Sequence, residues 1–456
     1  MTKEKKIVAG IAGLGYEGYS LDFVDKITSR VRKDLEQTGL FEFRKIPKIQ
    51  NYEQGQEAIK AFSAKGCDLL IAVVASWLDA RGTIPFMIEN KQLPILLYAT
   101  GGKTQKEGFL LSPAAGAGAP GILEPMRAAG INFEFIYEPP DCDTKVDQIV
   151  QFAKAAKAVN DLKHKRLGSM GFADMGLYTT NFDNTLIRNV YGIQTDFFDM
   201  LEVENKAKKI KKRDIGALVS KLKREWKCLG QKPKEETFER VASLTLAVQK
   251  IIREKKLSAI SLKCVEGMMS HMGCAPCMIG TLVGDDCFYV CENDIPGMLG
   301  HVLLNSLSGE AATFVESYEF WDDRILFGVC GFLPPSMIKG QKQCKLFRTE
   351  PWEGLMNCSK MNTGRVTMIR PFFTGGGPKI HMVTGNAVQA RKWIEIGFAE
   401  PGIHPSVEVV LDGTLKHFVA HVPAQHFSLV YGNWAKEVKY LCKLLNVELF
   451  YDGETD

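Results

Sequence analysis

Short, almost wholly apolar runs alternate with helical patterns from the start of this chain, and that alternation restricts it to a layered α/β architecture. Residues 7–11, 41–46, 69–75, 94–99 and 131–137 read as buried strands. Between and after them, Ser20 stands as a helix N-cap, Val24, Ile27, Val31 and Leu35 line one helical face that Gly39 stops, and residues 53–62 and 146–162 repeat the helical pattern. Strands apolar on both faces, separated by helices, predict a doubly wound parallel sheet covered on two sides. Lys163-His-Lys-Arg166 marks a surface boundary, so the first domain spans residues 1–164. A strand at 166–172 opens a second α/β unit of the same kind, residues 165–322, with elements at 184–190, 193–201, 215–226 and 238–252. Beyond Asp322 the texture changes. Short β runs at 325–330, 365–373, 379–384, 407–411, 417–422 and 427–431 are separated by glycine and proline clusters, among them 375–378 and 400–402. The expectation for residues 323–456 is a mainly-β, barrel-like C-terminal domain.

Composition removes several functional classes. A formal charge of +4 over 456 residues gives no basic stripe of the kind nucleic-acid binders carry. The densest positive run, Lys206-Ala-Lys-Lys-Ile-Lys-Lys-Arg213, has no interleaved aromatics and reads as a solvated segment. No run is apolar and long enough to span a bilayer, and the start lacks a secretory pattern. Twelve cysteines in that setting are expected as reduced thiols in a cytoplasmic enzyme acting on a small molecule.

The chemistry concentrates between Cys264 and His301. Glu266 follows the apolar run 257–262, and Glu292 and Asp294 follow the run 288–290, just before a helical pattern at 295–304. Acids at two strand ends occupy the edge where open α/β sheets bind ligands. Glu292 and Asp294 are two residues apart, so strand alternation would put them on one face. Carboxylates with an added histidine suit a hard divalent ion such as Mn²⁺ or Mg²⁺, and His417, His421 and His426 lie together in what reads as a last hairpin. A rival reading makes Cys274, Cys277, Cys287 and Cys291 a structural zinc site, though the last pair would sit far apart along a strand.

Two further features need a reading. Gly13-Leu-Gly15-Tyr-Glu-Gly18 matches the dinucleotide pattern, yet the second strand ends without an acid for a ribose, and Tyr16 and Glu17 would crowd a pyrophosphate; a plain turn is expected. After the third strand, Trp77 and Arg81 offer a stacking face and a hydroxyl- or anion-binding fork. The small-residue stretch 112–121 reads as a connection or a tight packing surface.

Two α/β domains followed by Lys263-Cys-Val-Glu266, Cys291-Glu-Asn-Asp294 and Gln425-His-Phe-Ser-Leu-Val-Tyr431-Gly432 resemble the L-fucose isomerase-like family over most of the chain, and its shorter branch most of all. The resemblance implies a metal-dependent aldose–ketose isomerase working through an enediol, commonly with Mn²⁺. It implies Asp294 and His426 as ligands with Glu266 as the second carboxylate, Glu266 serving as base and Asp294 as its acid partner. Glu292 is the substitute for either acid or a substrate contact. The resemblance further implies a homotrimer or homohexamer in which Trp77 and Arg81 close a neighbour's sugar pocket. In the long members the glutamate precedes the strand leading to Glu-Asn-Asp, where this chain reads Cys274-Ala-Pro-Cys277. The alternatives are a non-catalytic sugar- or metal-binding protein of the same fold, and a nicotinamide-dependent oxidoreductase using Gly13, Gly15 and Gly18.

Overall fold

A computed structural model describes residues 6–19, 21–349, 352–373, 376–394, 404–451 and 453. Ser20 and the turn at 400–402 lie outside these residues. The chain divides into two compact units, residues 1–160 and 161–456. No helix among the described residues is long and apolar enough to cross a membrane.

The first unit is a five-stranded parallel sheet in the spatial order Phe41–Lys45, Ile7–Leu14, Leu69–Val74, Ile95–Thr100, Phe133–Glu138. The three central strands are almost wholly buried, which accounts for their unbroken apolar sequence. Gly13 and Gly15 are needed for packing. A Cβ on Gly13 would stand 2.4 Å from Thr28 Oγ1 of the helix Leu21–Glu36, and one on Gly15 would stand 2.5 Å from Val24 Cγ2. The glycines thus seat that helix against the sheet. The residues after the third strand that carry Trp77 and Arg81 contain the start of the helix Ala80–Glu89, capped by the Asp79 carboxylate through the Arg81 N–H. The small-residue stretch likewise runs into the helices Ala115–Gly118 and Pro120–Ala128. Pro85 and Pro125 inside these helices masked them in the sequence.

The second unit opens with a four-stranded parallel sheet in the order Phe288–Cys291, Ala259–Leu262, Arg166–Met170, Gln194–Phe198. Six antiparallel strands then close into a barrel. Gly364–Phe372 pairs with His426–Tyr431, then Thr313–Trp321, Arg324–Gly328, Ser406–Leu411 and Lys379–Gln389, which returns to Gly364–Phe372; Glu448–Tyr451 adds to the 379–389 strand. The barrel's first strand, Thr313–Trp321, precedes Asp322 and was not recognised in the sequence. Residues 417–422, expected as a strand, are helical instead: Leu415–His421 is a short helix capped by Thr414, with Phe418 buried. The i, i+4 spacing of His417 and His421 belongs to this helix. A further small sheet joins Lys227–Leu229, Gln343–Thr349, Trp352–Asn357 and Cys274–Ala275.

Alternation along the barrel strands sorts its two faces. Val315, Phe327, Met368, Val383, Val409, Phe427 and Leu429 form the interior. His426 and Ser428 point the other way. Ser428 meets the buried helix Ile295–Ser308, donating to Gly297 O and lying 2.8 Å from His301 Nδ1. Gly300 permits that approach, because a Cβ there would stand 2.5 Å from Ser428 Oγ. The helix therefore couples the parallel sheet, whose Phe288–Cys291 strand feeds directly into it, to the outside of the barrel.

Phe327 packs edge-on against Phe427 and Phe418 at centroid distances of 5.9 and 6.4 Å. Phe327→Ala is expected to destabilise this unit by about 3–5 kcal/mol, read by urea unfolding.

Candidate active site

The site starts from a strained turn. Between the strand ending at Cys291 and the helix beginning at Ile295, Glu292 and Asn293 take φ values of 62° and 53°. Two consecutive left-handed, non-glycine residues are costly and persist only where the surroundings fix them. Asn293 supplies the fixing, donating from Nδ2 to the carbonyls of Met170 and Phe172 at 2.8 Å each. The turn is thereby stitched to the end of a strand in the same sheet and presents Glu292 and Asp294 toward the barrel.

Asp294 is fully buried and caps the helix, accepting from the Gly297 N–H at 2.9 Å through Oδ1. Its Oδ2 accepts from the Arg370 guanidinium and from His426 Nδ1, the latter at 2.8 Å. Arg370, on the strand Gly364–Phe372, is also fully buried and donates its other amino group to Thr179 O at 2.6 Å. Burial alone would raise the Asp294 pKa, but the charge of Arg370 and the hydrogen bond from His426 outweigh it and hold the carboxyl below its ordinary range. An ionised carboxylate only accepts, so the His426 hydrogen sits on Nδ1. Burial also lowers the His426 pKa, which keeps the ring neutral. The lone pair on Nε2 then faces away from Asp294.

That lone pair meets two further carboxylates. His426 Nε2 lies 3.3 Å from Glu292 Oε2 and makes no hydrogen bond. Glu316, on the strand Thr313–Trp321, is the direct antiparallel partner of His426 in the barrel ladder. One ligand atom from each of Glu292, Glu316 and His426 falls within 4.8 Å of the others, the one such grouping among the described residues. Burial, with the nearby Cys330 and Asp294, pushes Glu292 up to about 8. Two carboxylates and one imidazole whose Nε2 is buried and unsatisfied match the donor set of a hard divalent ion. A carboxylate behind the histidine is the usual support for such a ligand.

The structure brings together Glu292, Asp294 and His426 of the expected residues. Glu266 stands apart from them. It lies in a π-helical turn, Cys264–Met269, in which the N–H groups of Val265 and Glu266 bond the buried Asp174 carboxylate; its own side chain is half-exposed and pairs with Lys263 at 3.2 Å. Asp294 stands behind His426, with its oxygens taken by Gly297, Arg370 and His426. Glu316 was missed, since only the strand register reveals it as His426's neighbour. Arg370 was also missed. Cys274, Cys277, Cys287 and Cys291 are free and buried, and form no metal-ligand grouping among the described residues. In the first unit Trp77 is 45% exposed, and the outward Arg81 side chain is held by Asp79 at 2.6 and 3.2 Å.

No family model matches the chain. It is similar to the sulfoquinovose isomerases of Priestia megaterium and Priestia aryabhattai, each 21% identical over 325 residues, which cover 69% of this chain and 71% of theirs. A sulfoquinovose isomerase of Alkalicoccus urumqiensis is 20% identical over 370 residues, covering 79% of this chain and 81% of its own. Among solved structures, a galactofuranose-binding protein is 9% identical with a TM-score of 0.17, covering 67% of this chain and 90% of its own, a likeness that carries no argument.

Arg370→Met leaves the Asp294 carboxylate buried without its counter-charge. The expected loss is about 3–5 kcal/mol in denaturant unfolding at neutral pH.

Proposed function

We propose that this chain is an aldose–ketose isomerase acting on an open-chain sugar through an enediol. The observation that carries the proposal is the convergence of Glu292, Glu316 and His426 at the carboxyl edge of a parallel sheet, in a chain whose relatives bear the name sulfoquinovose isomerase. Glu292, Glu316 and His426 would hold a divalent ion, Mn²⁺ or Mg²⁺, which would supply positive charge to stabilise the enediol. The remaining chemistry belongs to the protein. Isomerisation removes a proton from C2 and returns one to C1, while a hydroxyl proton moves between the oxygens; in this reading the two glutamates carry these protons. In the metal-free site burial, with Cys330 and Asp294 nearby, raises the Glu292 pKa to about 8, so the residue would give up its proton as the ion binds and act as a base thereafter. Asp294 fixes the tautomer of His426, and Arg370 keeps Asp294 charged.

Sulfoquinovose heads the list of aldoses to test because it is the sugar in the relatives' name. The reading includes a cytoplasmic homotrimer or homohexamer in which the exposed Trp77 and the anchored Arg81 of one subunit close the sugar pocket of another.

Glu316→Gln is expected to lower kcat by about 10²–10⁴-fold with the fold intact, whereas Glu266→Gln should leave turnover within a few-fold of the parent. Ketose formation from a panel of aldoses measures both, and undiminished turnover in Glu316→Gln would remove that residue from the mechanism. Divalent-ion binding should displace the proton that the metal-free site keeps on Glu292. Calorimetry on chelator-stripped protein should then show Mn²⁺ affinity rising as the pH climbs toward about 8 and levelling above it, with a proton released to the buffer below that point. His426→Ala should abolish the tight binding.

A further inference from the structure

The small sheet beside the barrel contains a thiol pair that the isomerase chemistry does not use. Its edge strand, Lys227–Leu229, runs parallel to Gln343–Thr349 with Cys228 directly opposite Cys344, and their sulfurs are 3.1 Å apart. Neighbouring strands lie about 4.8 Å apart, inside the roughly 4.4–6.8 Å Cα separation that a disulfide spans. A bond can therefore close there without a backbone rearrangement.

The two thiols are unequal in the way a reactive pair requires. Cys228 is partly exposed, and the hydrogen bond from Cys344 together with the charges of Lys232 and Lys223 brings its pKa down to about 7, against the opposing effect of burial. Cys344 is buried, and its hydrogen bond with Cys228 and its desolvation push its pKa up, so it keeps its proton. An accessible, thiolate-prone cysteine beside a protected one is the arrangement of a peroxide-sensitive pair. By contrast Cys264, Cys274 and Cys287 are buried thiols with raised pKa values, whereas Cys330, whose pKa is lowered by hydrogen bonds from the buried Cys277 and Cys291, is the competing thiol.

We propose that Cys228 and Cys344 form a reversible, peroxide-driven disulfide, with Cys228 as the attacking thiol and Cys344 as the resolving one. The Cys228 thiolate attacks one peroxide oxygen, so an S–O bond forms, the O–O bond breaks, and the departing hydroxide takes a proton to become water. The Cys344 sulfur then attacks the Cys228 sulfur. An S–S bond forms, the S–O bond breaks, and the second hydroxide leaves as water with the Cys344 proton. Two thiols lose two electrons in total, and one peroxide is reduced to two waters. The new bond joins residues 116 positions apart, and the loop it closes carries Glu292, Asp294 and Glu316. It also pins a three-residue edge strand to its neighbour. Closing so long a loop restricts the unfolded chain and should stabilise the unit that contains the site.

The test uses the full-length, fully reduced protein with limiting hydrogen peroxide, followed by non-reducing peptide mapping by mass spectrometry. The expected first product joins the Cys228 and Cys344 peptides, costs two free thiols per chain, and reverts with dithiothreitol. In Cys344→Ser, a sulfenic-acid-directed label should appear on Cys228. In Cys228→Ser, Cys344 should stay reduced at the same dose. The oxidised parent should melt at a higher temperature than the reduced parent, with no such difference in Cys228→Ser. Oxidation of the partly exposed Cys142 or Cys330 ahead of the pair would overturn the proposal. So would a Cys228 that is oxidised in the parent protein without becoming joined to Cys344. Each readout is a mass or a melting midpoint, so the outcome is independent of whether the chain isomerises a sugar.

Discussion

The ion pair between Arg370 and Asp294 is the interaction on which the second unit depends. Neither side chain reaches solvent, and each is tied to a different layer. Asp294 ends a parallel-sheet turn and begins a buried helix, while Arg370 belongs to the barrel. Two buried charges are tolerated because each is hydrogen-bonded more than once: Asp294 by Gly297, Arg370 and His426, Arg370 by Asp294 and Thr179. The pair also has a chemical effect. It places the proton of His426 on Nδ1 and thereby determines which nitrogen is offered to Glu292 and Glu316. Architecture and site chemistry share one contact.

Around that contact the electrostatics diverge over a few residues. Asp294 is kept ionised by a cation, whereas Glu292, two positions earlier, has no comparable counter-charge among the described residues and is pushed toward protonation by burial. The left-handed turn at Glu292 and Asn293 makes this possible, since it sends neighbouring acids into different surroundings. One carboxyl is held ionised and the other is pushed toward its protonated form. The same local chain thus holds two acids in opposite protonation states, which a uniform environment would not do.

Much of the fold was legible in the sequence. Buried parallel strands announce themselves as apolar runs, and three such runs account for the centre of the first sheet, while its edge strands Phe41–Lys45 and Phe133–Glu138 alternate apolar with charged or exposed residues and are only partly buried. Proline-containing helices at 80–89 and 120–128 were hidden, because proline normally argues against a helix interior. The segment 417–422 differs from the expected strand because it follows a series of short β runs and its helix, Leu415–His421, is only seven residues long, too short for a clear helical period. At the site, Glu292, Asp294 and His426 could be read from strand ends and from a resemblance. Glu316 and Arg370 could not, for a physical reason: each acquires its role from a cross-strand or interlayer neighbour distant in sequence, and no local pattern encodes that pairing. Glu266 drew notice by following a strand end, but a π-helical turn anchored by Asp174 carries its side chain outward.

The pairing of Glu316 with His426 has a consequence for how the molecule reaches its final state. Both residues lie on strands whose alternate positions, Val315 and Phe427, fill the barrel interior. A slip of one residue in either strand would send a phenylalanine or valine outward and drive a carboxylate or an imidazole into the hydrocarbon interior. Packing and the grouping of Glu316 with His426 therefore reject the same misaligned closures. The barrel acts as its own proofreader: a chain that has closed in the alignment its apolar side chains prefer has, by that fact, already assembled two of the three converging donors.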